Sequence, residues 1–149
     1  MDSTIIPTQA ATITCPSCQR RNRVDLARVA QAPQCGACRS PLRLDQPVRA
    51  TQDDLDDTLA SATVPVLVDF YADWCGPCRA TAPVVEALAA REAGRALVVK
   101  VDTDRNPGAA TRHGVRGIPT FIAFREGREV RRHVGQAGAT ELARLLGDG

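Results

Sequence analysis

Val68-Asp69-Phe70-Tyr71-Ala72-Asp73-Trp74-Cys75-Gly76-Pro77-Cys78-Arg79 joins the end of one apolar run to the start of a periodic one. Upstream, residues 64–71 read Val-Pro-Val-Leu-Val-Asp-Phe-Tyr. A run this continuous predicts a strand covered on both faces. Downstream, residues 76–93 place Val84, Val85, Leu88 and Ala89 at helical spacing, with Pro83 as an expected kink. The stretch therefore reads as strand, tight turn and helix N-terminus, with two cysteines at the junction.

That position has chemical meaning. A thiolate is the nucleophile in disulfide exchange, so its pKa must fall toward ambient pH. Unpaired N–H groups and the helix dipole favour negative charge at Cys75. Cys78 follows one turn on, within reach. Pro77 is tolerated there because first-turn N–H groups lack helical partners, and Gly76-Pro77 keeps the bridge short. The competing use of a Cys-x-x-Cys pair is half a metal site, but no further cysteine or well-placed histidine remains to complete one. His113 and His133 stand alone and read as surface or packing residues. Asp69 and Lys100 each interrupt an apolar run. They either face each other on neighbouring strands or sit at strand ends in water, since a lone buried charge is costly.

Working outward, Thr51 with Asp54 forms a capping-box start, and Leu55 and Leu59 carry a helix to about Ala62. Residues 96–101 predict a strand and 107–113 a short helix. Residues 120–124 and 130–134 predict a hairpin about Glu126-Gly127, and 140–146 a final amphipathic helix. The order β-α-β-α-β-α-β-β-α predicts an α/β fold, a central mixed sheet with helices on both faces.

The other four cysteines, Cys15, Cys18, Cys35 and Cys38, form two Cys-x-x-Cys knuckles with 16 residues between them. This is the spacing of a four-thiolate zinc ribbon, a closed site with no open position. Another metal such as iron, or two disulfides, would use the same residues. Residues 13–44 hold too few apolar side chains to fold without such a staple. Residues 1–12 read as a flexible leader, 13–44 as the metal module and 45–149 as the main domain, entered through a linker at 45–52 that runs into a first strand. Arg20, Arg21, Arg23 and Arg39 are placed to offset the charge of four thiolates.

Composition limits the alternatives. Hydrophobic residues make up 44% and aromatics 3%, so the core is built of Val, Leu, Ile and Ala. Residues 1–50 carry seven Arg against three Asp, and residues 51–149 carry twelve cations against fourteen anions, so the net +2 divides as +4 and −2. The charge is too small, and the basic segment too poor in aromatics, to indicate nucleic-acid binding. No run is long enough to span a membrane, and Met1–Thr14 lacks the pattern of a secretory signal, so a reducing cytoplasm is expected.

Residues 47–149 resemble the thioredoxin family through the opening stretch, Pro83, Lys100-Val101-Asp102, Gly114-Val115-Arg116-Gly117-Ile118-Pro119-Thr120, Gly127 and Val134-Gly135. With the knuckles the whole resembles the zinc-containing thioredoxin-2 subfamily. The resemblance implies the thioredoxin fold and a protein-disulfide reductase. In it, Cys75 attacks, Cys78 resolves, and Asp69, tuned by Lys100, helps deprotonate Cys78. Pro119 is a cis-proline beside the disulfide, and Trp74, Gly76, Pro77, Gly117, Ile118 and Gly135 form the docking surface. It further implies one structural Zn2+, no organic cofactor, oxidised target proteins and a thioredoxin reductase as partners, and a monomer. Tyr71 stands where tryptophan is common, and Arg79 where lysine is. A second function the motifs permit is a redox-switched zinc chaperone or stress sensor, because metal binding and folding are coupled in such modules.

Overall fold

In the computed structural model, which describes residues 9–147, the chain opens on an antiparallel pair, β1 (Ala10–Thr14) and β2 (Arg21–Asp25). A 3-10 segment, Leu26–Gln31, and the second cysteine knuckle follow. The main domain runs β3 (Val48–Arg49), α1 (Gln52–Ser61), β4 (Val66–Tyr71), α2 (Gly76–Arg91), β5 (Leu97–Asp102), α3 (Pro107–Arg112), β6 (Thr120–Arg125), β7 (Arg128–Val134) and α4 (Ala139–Leu146). The element order matches expectation, and α1 begins with the anticipated reciprocal Thr51–Asp54 capping box. Helix α2 continues through Pro83.

The sheet order is β3-β5-β4-β6-β7, with β3, β5 and β4 parallel and β6 and β7 antiparallel. Every residue of β4 is buried, as its apolar run requires. Successive strand side chains point to opposite faces, so β4 feeds two cores. Val66, Val68 and Phe70 join Leu55 and Leu59 of α1 on one face. Leu67 joins Val85 and Leu88 of α2 and Leu142, Leu145 and Leu146 of α4 on the other.

Two boundaries differ from the sequence reading. The expected leader at 1–12 lies outside the described residues up to Thr8, but Ala10–Thr12 are β-strand. Alanine has low strand propensity, which hides β1 in the sequence. The strand forms because Ala10 and Ala11 are small enough to pack fully buried against α1. The four-cysteine module also has no core of its own among the described residues. Ile13, Val24, Leu26, Leu42 and Leu44 join the same cluster as Leu55, Leu59 and Val68. Hydrogen bonds sew the seam: Thr58 Oγ1 donates to Thr12 O at 2.7 Å, Thr12 N to Ser61 Oγ at 3.1 Å, and Ala10 N to Thr63 Oγ1 at 2.8 Å.

Candidate active site and metal centre

The β4–α2 junction places Cys75 at the N-cap of α2, where its sulfur accepts from Cys78 N–H at 3.1 Å. The two cysteines form a disulfide with their Cα atoms 5.2 Å apart. Both are buried. The Cys75 sulfur is bonded to that of Cys78 and lies 3.8 Å from the Ile118 carbonyl oxygen. The Ile118–Pro119 bond is cis, and Ile118 packs against Tyr71, Ala72, Cys75 and Cys78.

Around this patch the backbone is pinned. Gly135 N donates to Pro119 O at 2.8 Å, and Thr120 Oγ1 donates to Gly117 O. Gly135 has φ of 101°, open to glycine at no steric cost. Trp74 projects with 67% exposure, and its indole N–H donates to Asp104 Oδ2 at 2.8 Å. Sequence reasoning misses Asp104, since nothing local marks a partner 30 residues away. Exposed Val134 borders Gly117 and extends the apolar rim.

Asp69 is 3% exposed, and its Oδ1 has no hydrogen-bond partner among the described residues. It pairs in register with Lys100 on β5 and Phe121 on β6, so the two charges share one face of the sheet. Burial pushes the Asp69 carboxyl up to about 7, against the opposing pull of the Lys100 ammonium. A carboxyl near neutrality can take up or release a proton under working conditions. His113 is a packing residue, its ring 5.8 Å from Phe70 and 5.3 Å from Phe124, with burial lowering its pKa.

The two knuckles are built alike. Cys15 N donates to Arg20 O and Gln19 N to Cys15 O, while Cys35 N donates to Ser40 O and Arg39 N to Cys35 O. Gln19 (φ 69°) and Arg39 (φ 64°) take the left-handed conformation that turns each loop back. One ligand-atom sulfur from each of the four cysteines lies within 4.8 Å of the others. Cys15 and Cys38 sulfurs are 3.6 Å apart, as are those of Cys18 and Cys35. Sulfurs about 2.3 Å from one tetrahedral ion stand about 3.8 Å from each other, so the set fits a zinc-sized ion. Asn22, unmarked in the sequence, donates to Cys35 Sγ at 3.5 Å and accepts from Gly36 N at 2.9 Å. Two of the arginines expected around the thiolates face elsewhere. Arg21 pairs with Asp57 at 2.7 Å and with Asp54, and Arg23 donates to Ser61 O.

The family model described as Thioredoxin matches residues 46–148, and the one described as Thioredoxin 2, N-terminal, matches residues 14–40. Thioredoxin 1 of a Nostoc species is 44% identical over 98 residues, covering 66% of this chain and 92% of the relative. Thioredoxin C-3 of Corynebacterium nephridii is 34% identical over 134 residues, covering 90% and 92%. The structure of a mutant thioredoxin from Halobacterium salinarum superposes with a TM-score of 0.63 at 40% identity, covering 72% of this chain and 93% of the other.

Proposed function

This chain belongs to the thioredoxin family of thiol–disulfide oxidoreductases, and on that ground we propose that it is a cytoplasmic protein-disulfide reductase acting as a monomer. The supporting observation is the juxtaposition at one strand–helix junction: Cys75 at a helix N-cap, Cys78 bonded to it, cis-Pro119 beside them, and buried Asp69 six residues upstream. The Cys75 thiolate, favoured by the Cys78 amide and the helix dipole, attacks a target disulfide. One target sulfur leaves as a thiolate and takes a proton from solvent, and a mixed disulfide remains. Asp69 accepts the Cys78 proton, with Lys100 tuning it. Cys78 then attacks Cys75 and expels the second target sulfur. The target gains two electrons and two protons, and the Cys75–Cys78 pair becomes the disulfide. Targets dock on Trp74, Gly76, Pro77, Gly117, Ile118 and Gly135 beside Pro119. A flavin thioredoxin reductase using NADPH restores the dithiol.

Functionally the chain divides into a metal module at 13–44, extended by β1, and a redox domain at 45–149. Cys15, Cys18, Cys35 and Cys38 would hold one Zn2+, which as a four-thiolate centre supplies structure and no catalytic position. One observation favours the stress-sensor reading as a secondary role: Cys18 and Cys38 are exposed, so an oxidant can reach them. Zinc retained at peroxide levels that fully oxidise Cys75 refutes that role. For the main reading, the test is insulin reduction with NADPH and thioredoxin reductase. The wild type precipitates insulin and Cys75→Ser does not, while full activity in Cys75→Ser overturns the assignment.

A further inference from the structure

Asp69 belongs to a row of charges that crosses three strands. Arg49 on β3 pairs with Lys100 on β5, and Lys100 pairs with Asp69 on β4. Arg49 and Lys100 are therefore like charges on adjacent strands, an arrangement that by itself is destabilising. Tyr71 resolves the conflict. It lies two residues after Asp69 on the same strand, hence on the same face. The Lys100 ammonium sits 4.4 Å from the centre of its ring, and Arg49 Nη1 donates to its hydroxyl at 2.9 Å. One side chain thus holds both cations, each by a different part. Tryptophan could supply the ring face but has no acceptor for Arg49.

Resting on the reading of Asp69 as proton acceptor for Cys78, we propose that Tyr71 is a positioning residue for disulfide exchange: its ring holds Lys100 beside Asp69, while its hydroxyl separately accepts from Arg49. Tyr71 is buried, while Lys100 is partly exposed at a cleft of about 360 Å3 that Thr14 and Cys15 of the four-cysteine module also line. Lys100 therefore depends on a contact to keep its place, because a free lysine side chain would turn to water. The other charges at the two cavities that Lys100 lines are Glu86 from α2, Arg43 and Asp45 from the segment before β3, Asp54 from α1, Asp73, Asp102 and Arg105. On the β6 side Asp69 faces Phe121, and Cys75 and Cys78 do not titrate in the disulfide form. In that form Asp69 is accordingly a clean reporter of where Lys100 stands.

The experiment is a 13C-NMR titration of the Asp69 carboxyl in the full-length oxidised protein. Tyr71→Leu raises its midpoint by about half a pH unit or more, because the opposing ammonium moves away. Tyr71→Trp restores a value close to wild type. In a Lys100→Met background Tyr71→Leu adds nothing. The proposal is overturned if Tyr71→Leu titrates like wild type, or if its shift persists undiminished in the Lys100→Met background. A second measurement stands if Tyr71→Leu fails to fold. The Lys100 ε-methylene protons carry an upfield ring-current shift in wild type and in Tyr71→Phe, and ordinary solvent-exposed shifts there overturn the proposal equally. These readouts involve no turnover. A chain that shows them yet fails to reduce insulin refutes the proposed function. A chain that reduces insulin without them refutes only the role of Tyr71.

Discussion

Replacing Asp69 by asparagine stabilises the oxidised protein in a pH-dependent way. Burial raises the Asp69 carboxyl from an ordinary 3.8 to about 7, roughly three pH units at about 1.4 kcal/mol each, or about 4 kcal/mol. The residue is almost fully buried, so solvent screening takes little from this figure. Below pH 4 the carboxyl is protonated in folded and unfolded chains alike and costs nothing through titration. Between pH 4 and 7 the unfolded chain releases the proton while the folded one retains it, so wild-type stability falls as pH rises. Above pH 7 the folded protein holds a buried carboxylate and the full penalty applies. The amide introduced by Asp69→Asn does not titrate, so the advantage of the variant grows from near zero at pH 4 to about 4 kcal/mol at pH 8. Urea unfolding of both oxidised proteins at matched pH measures the difference. Any acid-induced loss of metal affects both proteins and cancels. A difference that stays constant from pH 4 to 8 would refute the claim that burial of this carboxylate outweighs the attraction of Lys100.

Four further outcomes are expected. Cys78→Ser accumulates a mixed disulfide through Cys75 with a disulfide target, visible as a mass increase on non-reducing analysis, and its absence refutes the assigned order of attack. Leu26→Ala, at a fully buried position of the shared cluster, lowers stability by about 2–4 kcal/mol and leaves one cooperative transition. Separate melting of module and domain would contradict the shared core. Thr58→Val removes the hydrogen bond to Thr12 O and costs about 1 kcal/mol, while chelation of the proposed metal lowers the unfolding midpoint read at Trp74. An unchanged midpoint after verified metal loss would detach the module from the stability of the domain.

Legibility in the sequence follows the range of the interaction. Apolar periodicity, the Thr51–Asp54 cap, the Glu126-Gly127 turn and the Cys-x-x-Cys spacings act over a few residues, and each is readable. Asp104 and Asn22 are not, because a side chain that reaches 13 or 30 residues away leaves no local mark. Arg21 and Arg23 mislead for the same reason. Proximity in sequence suggests the thiolates, but the side chains of Arg21 and Arg23 reach α1, whose acidic and carbonyl groups take them.

The sequence alone determined the element order of the main domain, the strand–turn–helix junction bearing Cys75 and Cys78, and the separation of a redox pair from a four-thiolate set. Each is written in spacing and residue type. Tertiary structure alone decided that Ala10–Thr14 is a strand, that module and domain share one core, and that Arg49, Lys100 and Asp69 stand in a row with Tyr71 holding its cations. The physical reason is register. A strand's pattern tells which residues share a face, but only the pairing of β3, β5 and β4 tells which of them meet.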